Sequence, residues 1–74
     1  MPDITFEIVE TLAVFTDSDQ RGGWAKELNL ISWNGNPAKY DIRSWNEDHS
    51  RMGKGITLSE DEMKQLKKAL DGIF

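Results

Sequence analysis

The chain has 74 residues, the size of one small domain, which leaves no room for the two-lobed cleft in which most metabolic enzymes enclose a substrate. Hydrophobic residues make up 38% and charged residues 30%, so the composition is globular, and the absence of cysteine excludes disulfides, thiolate metal ligands and cysteine nucleophiles. The net charge of −4 excludes a uniformly basic surface, although a ligand responds to the local field rather than to the total charge.

Three segments in the first two thirds of the chain have strand patterns. Residues 4 to 16 are rich in β-branched and aromatic side chains, which predicts a strand. Val9 and Phe15 interrupt their alternation, which indicates a bend or bulge, or a strand partly covered on both faces. A turn composition over residues 17 to 23 precedes a second strand from Trp24 to Trp33. After the turn signal of residues 34 to 37, clean alternation predicts a third strand over residues 39 to 45.

The last third of the chain predicts a short strand followed by a helix. Residues 54 to 58 form the fourth strand, with Ile56 and Leu58 expected to point inward. Ser59 and Glu62 then have the spacing of a capping box, and apolar residues recur every three or four positions for about 15 residues, as in an amphipathic helix. The order ββββα predicts one α+β domain over residues 1–74, an antiparallel sheet with a C-terminal helix. A core this small needs further stabilisation, and because disulfides are excluded, we expect it to come from oligomerisation.

Basic and aromatic residues concentrate in the middle of the chain. Residues 1 to 20 contain five acids and no Lys or Arg, whereas residues 21 to 54 contain six bases, four acids and all three tryptophans. In the third strand, alternation puts Tyr40 and Ile42 on the expected core face and Lys39, Arg43 and Trp45 on the expected solvent face. Basic side chains that follow a backbone and aromatic rings that stack on bases are typical of single-stranded nucleic-acid binding. The alternative for Trp45 is packing under a loop or in a subunit interface.

Signals for catalysis and for metal or cofactor binding are poor. His49, the one histidine, lies in a charged loop and is expected to be a solvated side chain. The segment Asp17-Ser18-Asp19 lacks the oxygen ligands of a calcium loop, and the glycines around Lys54 lack the frame of a phosphate loop. Trp24 and Trp33 have opposite parity on one strand, so we expect at least one of them to face the core or an interface. We predict no enzymatic activity, no metal, no cofactor and no small-molecule substrate.

Three segments carry a family likeness: Asp41-Ile42-Arg43-Ser44-Trp45, residues 52 to 59 (MGKGITLS), and the helix residues Glu62-Met63 and Leu66-Lys67. This combination resembles the positive cofactor four family of transcriptional coactivators, and in its brevity the bacterial YdbC-type members. The resemblance covers about the C-terminal half of the chain. It implies a homodimer whose curved sheets form a channel for single-stranded DNA, and it matches Arg43 and Lys54 to basic positions and Trp45 to the family's aromatic pair or the residue beside it. Here Asn46 replaces one of two adjacent aromatics, and the regulatory serine-rich tail is absent.

The resulting prediction is a homodimer that binds single-stranded DNA without sequence preference and supports transcription, replication or repair. A cytoplasmic, nucleoid-associated protein is expected, without a targeting segment or a membrane partner. A single-stranded RNA-binding module and a protein-interaction adaptor remain alternatives. The candidate binding residues are Arg21, Trp24, Lys26, Lys39, Arg43, Trp45, Arg51 and Lys54.

Overall fold

A computed structural model describes residues 5–15 and 23–74. They form an open sheet and one helix: β1 (Phe6–Val14), β2 (Trp24–Trp33), β3 (Lys39–Asn46), β4 (Met52–Leu58) and α1 (Glu60–Ile73). The strands pair antiparallel in chain order, which confirms the predicted α+β class. Residues 17 to 22 of the predicted turn over residues 17 to 23, including the candidate Arg21, lie outside the described residues, whereas Gly23 is described and has φ 90°. Within the described ranges, no helix has the length and hydrophobicity needed to cross a membrane.

The turn between β2 and β3 sets the register of the two central strands. Asn34 and Gly35 both have positive φ, at 51° and 77°, and the Asn36 N–H donates to the Trp33 carbonyl oxygen at 2.9 Å. This is a type I′ turn, whose twist matches that of paired strands. The register then runs without interruption from Ile31 opposite Lys39 to Trp24 opposite Asn46.

Irregularities occur in both edge strands. The register of β1 against β2 shifts once between Ile8 and Glu10 and again between Thr11 and Ala13. The first shift confirms an irregularity at Val9. In β4, Met52 pairs with Trp45, and the next register pair joins Gly55 to Arg43. Two residues of β4, at positions 53 and 54, therefore lie opposite one residue of β3, and β4 begins two residues earlier than the sequence predicts.

The two faces of the sheet differ in burial, and the expected assignment of inside and outside is wrong. The inner face carries the fully buried side chains Asn29, Ile31, Asp41 and Trp45. The outer face carries rows of aliphatic and aromatic side chains that stay partly exposed, and the side chain of Ile56 is 53% exposed. Lys39, Asp41, Arg43 and Trp45 share a face as predicted, but it is the inner one.

Curvature explains how a single sheet buries side chains on one face. The ring of Phe6 lies 5.9 Å from that of Trp33 and 5.2 Å from that of Trp45, centroid to centroid. Trp45 is opposite Ala25, eight residues from Trp33 along β2, a distance of about 26 Å in a straight strand. Both rings reach Phe6 because the sheet curls around its inner face. The aromatic cluster of Phe6, Trp33 and Trp45 fills this concavity.

The helix begins at the predicted cap and is lightly packed. The Glu62 N–H donates to the Ser59 hydroxyl and the Ser59 N–H donates to the Glu62 carboxylate, so both halves of the capping box form. The bond from the Ser59 N–H, with a smaller contribution from its hydroxyl, holds the pKa of Glu62 below its ordinary value. No residue of α1 is buried, and Leu70, Ile73 and Phe74 are exposed. An apolar stripe therefore remains uncovered in the single chain.

Candidate nucleic-acid interface

The register gathers four candidate residues at one end of the outer face. Trp24 pairs with Asn46, whose N–H donates at 3.2 Å to the carbonyl oxygen of Arg51, the residue just before β4, so Trp24 and Arg51 lie on either side of Asn46. In the next row, Lys26 pairs with Ser44, and Lys54 lies on the other side of Ser44 in the β4 bulge. We call this group the basic end; it consists of Trp24, Lys26, Arg51 and Lys54.

The basic end is accessible to a ligand. Lys26, Arg51 and Lys54 are exposed, and Trp24 is partly exposed. Neighbouring strands lie about 4.8 Å apart, so the backbones of Lys26 and Lys54 are about 10 Å apart across the sheet. Three cationic side chains and an indole therefore share a surface patch of one or two nucleotides in width.

Lys39 lies away from the basic end, at the opposite end of β3. It lines an open groove of about 740 Å³ together with Trp33, Tyr40 and Ser59. Trp33 is partly exposed there, and its indole N–H is buried with no hydrogen-bond partner among residues 5–15 and 23–74. The predicted site residues that the structure describes thus fall into separate groups, of which Lys39 lines the groove.

Arg43 is held by the protein itself. Its Nη2 donates to Asp41 Oδ2 at 2.8 Å, and its Nε donates to the other oxygen of the same carboxylate. Asp41 is fully buried and also accepts a bond from the Thr57 hydroxyl at 2.9 Å. The guanidinium carbon lies 4.8 Å from the centroid of the Trp33 ring, and the Arg43 side chain is only 14% exposed. A phosphate would have to compete with this bidentate ion pair.

Gly55 leaves the space that the Arg43 side chain occupies. A Cβ at position 55 would fall 2.5 Å from the Ile42 carbonyl oxygen and closer still to the Cβ of Arg43. The Asp-Ile-Arg element and the Gly-Ile-Thr element of the sequence therefore form one structural unit, in which Asp41, Arg43, Gly55 and Thr57 meet on the inner face. Sequence reasoning missed this unit, although the parity of Asp41 and Arg43 already put them on one face.

The predicted solvent exposure of Trp45 is wrong. Its side chain is fully buried on the inner face and contacts Phe6, and its indole N–H has no hydrogen-bond partner within the described part of the chain. The ring of His49, from the loop between β3 and β4, lies 5.5 Å away. The second reading of the sequence, packing under a loop, describes this position.

The predicted solvated position of His49 holds only in part, because its side chain is 35% exposed but also contacts the inner face. Its Nε2 lies 2.9 and 3.0 Å from the two carboxylate oxygens of Glu27, whose side chain is 8% exposed. Glu27 also accepts a bond from Asn29 Nδ2 at 3.1 Å. An ionised carboxylate only accepts hydrogen bonds, so the His49 tautomer that bonds it is the one with its proton on Nε2. The missed signal was the parity of Glu27, which puts an acid on the face that curves inward.

Comparison with known proteins agrees with the geometry. Residues 21–69 match the model of the family described as Transcriptional Coactivator p15 (PC4). The chain is also 42% identical over 71 residues to an uncharacterized protein of Treponema pallidum (strain Nichols), a match that covers 96% of this chain and 81% of that protein. The matched range includes the basic end, the Asp41 and Arg43 pair, and most of the helix. The chain belongs to the Transcriptional Coactivator p15 (PC4) family.

Proposed function

We propose that the protein is a homodimer that binds single-stranded DNA through the basic end and catalyses no reaction. Membership of a family of nucleic-acid-binding coactivators supports nucleic acid as the ligand. The observation that supports this surface is that Trp24 and Lys26 pair with Asn46 and Ser44, while the exposed Arg51 and Lys54 lie on the β4 side of the same two residues. In this proposal the protein holds unpaired strands during transcription, replication or repair, at the nucleoid in the cytoplasm.

The chemistry of the basic end favours a single strand over a duplex. Lys26, Arg51 and Lys54 attract phosphates without reading sequence, while Trp24 offers a flat ring on which an unpaired base stacks. A base in a duplex is already stacked and paired, so it gains nothing from the indole. Stacking of this kind contributes about 1–3 kcal/mol per base whatever the base.

The uncovered apolar surface supports the homodimer. On the outer face, beyond the basic end, the next rows are Leu28, Ile42 and Ile56, then Leu30, Tyr40 and Leu58. The apolar stripe of α1 is also uncovered. A chain of this length gains stability by burying such surfaces against a second copy, and the pairing would extend the basic end into a longer channel.

Replacing Lys54 tests the proposed surface. We expect Lys54→Gln to weaken binding of a thymidine oligomer and to reduce the slope of log affinity against log salt by about 0.7, because one phosphate contact disappears. Lys68→Gln makes the same charge change on the exposed side of α1 and should leave the slope unchanged. Fluorescence anisotropy at several salt concentrations measures both.

Two results would contradict the proposal. One is an equal loss of slope in the two variants, which would mean that the charge of the whole molecule acts rather than the basic end. The other is tighter binding of a duplex of the same length. A matched RNA oligomer that binds more tightly than DNA would assign the same surface to RNA, since the 2′-OH distinguishes the two ligands.

A further inference from the structure

In the loop between β3 and β4, residues 47–50 turn back so that His49 lies over the inner face. We call this loop the strap. His49 attaches it to the sheet through the Glu27 carboxylate and covers the Trp45 ring. Within the strap, the hydroxyl and the backbone N–H of Ser50 bond Asp48 and hold the pKa of its carboxyl below its ordinary value. The strap is thus internally ordered and is joined to the inner face at His49.

Two features make the closed position of the strap costly. His49 has φ 60°, a left-handed backbone conformation in which glycine is the usual residue. Beneath His49, the indole N–H of Trp45 is buried and has no hydrogen-bond partner among the described residues. The N–H has therefore given up a hydrogen bond to water without forming one to the protein, which is unfavourable. Such costs persist only where other contacts compensate for them, and they are frequent at sites that move during function.

The compensating contact is the pair of His49 and Glu27. Arg43 lies opposite Glu27 in the register, but its guanidinium is bound to Asp41. Among the described residues, the His49 ring therefore supplies the contact to both carboxylate oxygens of Glu27. The His49 N–H also donates to the Asn46 carbonyl oxygen at 3.1 Å, and Asn46 bonds Ser50 and Arg51, so the base of the strap stays attached to β3 without Glu27. Loss of the Glu27 contact would therefore free the His49 ring that lies against Trp45.

We propose that the strap is a gate over Trp45, held closed by His49 and Glu27, and that single-stranded DNA binds with the gate open and with a base stacked on Trp45. The inference rests on the proposed function. Trp45 occupies the same end of the sheet as the basic end, one residue before Asn46, on the opposite face. A strand bound at the basic end can therefore continue around this end of the sheet onto the uncovered indole.

Hydrogen exchange of the Trp45 indole N–H reports the gate directly. Because this N–H has no partner, its protection from solvent comes from burial alone. In the intact ¹⁵N-labelled protein, we expect His49→Asn to speed its exchange about tenfold, since asparagine tolerates the left-handed backbone but forms no ring contact with Trp45. Glu27→Gln, which keeps an acceptor and removes the charge, should have a smaller effect in the same direction. Glu47→Gln, in the same loop, should have none.

Affinity gives the second readout, and its sign is decisive. If the closed strap opposes DNA binding, weakening the closed state raises the population of protein that can bind DNA. His49→Asn should therefore bind a thymidine oligomer about threefold to tenfold more tightly. Saturating oligomer should also change the exchange and chemical shift of the Trp45 indole N–H. A residue that only maintained the fold would instead lower affinity when replaced.

The outcomes separate this inference from the proposed function. Unchanged indole exchange in His49→Asn overturns the gate, whatever the affinity. Faster exchange with equal or weaker binding overturns the role of the gate in recognition. If the unmodified protein binds no nucleic acid, the proposed function fails and the stacking of a base on Trp45 fails with it, while the exchange experiment still decides whether His49 holds the strap closed.

Discussion

Arg43 is a basic residue of the type that contacts phosphate, but in this structure its guanidinium is bonded to the protein itself. Its charge is matched by the buried Asp41, its planar guanidinium lies near the Trp33 ring, and Gly55 leaves the space for its side chain. An arginine fork and a carboxylate form two parallel bonds, which makes this pair specific in orientation as well as in charge. We therefore assign Arg43 to the architecture of the inner face.

The pair of Asp41 and Arg43 gives a prediction at this scale. Arg43→Gln should lower the free energy of unfolding by about 3 kcal/mol, because it leaves a buried carboxylate without its cation, and adding Asp41→Asn should recover most of that loss. Urea unfolding of the single and double variants measures this. In the double variant, the salt slope of oligomer binding should equal that of the unmodified protein. A slope reduced by about 0.7 would show that Arg43 contacts phosphate after all.

Side-chain parity was predictable from the sequence, but the burial of each face was not. Alternation correctly placed Asp41, Arg43 and Trp45 together. It could not show which face curls inward, because that depends on the approach of Phe6 from another strand. The contact of His49 with the inner face could not be predicted either, since its partner Glu27 is 22 residues away in the sequence.

At the scale of elements, the conformation of β4 depends on its pairing with β3. Its bulge at residues 53 and 54 lets Lys54 face outward, while Gly55 returns to the inner face beside Arg43. The boundaries of β2, the start of β3 and the cap of α1 followed from local signals: the type I′ turn and the capping box. The start of β4 did not, because it is fixed by the pairing of Met52 with Trp45.

Glycine replacements test this description of β4. Gly55→Ala should lower the free energy of unfolding by about 2 kcal/mol or more, since the added methyl group meets the Ile42 carbonyl oxygen and the Cβ and Nε of Arg43. Gly72→Ala, in α1 with no atom near the added methyl group, should raise it by about 0.5 kcal/mol through helix propensity. Thermal and urea denaturation provide the comparison. Equal effects of the two replacements would contradict the role assigned to Gly55.

At the scale of the whole molecule, one chain leaves much of its apolar surface uncovered. The outer-face rows and the stripe of α1 include exposed apolar side chains, and large exposed apolar patches often mark interaction sites. The overall fold was predictable from the order of strands and helix. The assembly state was expected from chain length and from the family likeness, and in this account it remains a proposal.

A charge placed on this surface tests the dimer. Ile56→Glu should raise the dissociation constant of the homodimer at least about tenfold, because the carboxylate would have to lose its water in the interface. The fold of each chain should persist, since Ile56 is 53% exposed in the single chain. Lys68→Gln makes the same change in net charge opposite the apolar stripe and should leave the dimer intact. Analytical ultracentrifugation distinguishes these outcomes, and an unmodified protein that sediments as a monomer would contradict the assembly.

The most direct test of the account is an amide and indole chemical-shift titration of the labelled protein with a short thymidine oligomer, followed by a duplex of equal length. We predict that the oligomer binds more tightly than the duplex and that the largest shifts occur at Trp24, Lys26, Arg51 and Lys54. Shifts confined to the groove beside Lys39, or tighter binding of the duplex, would contradict the central claim that the basic end binds single strands.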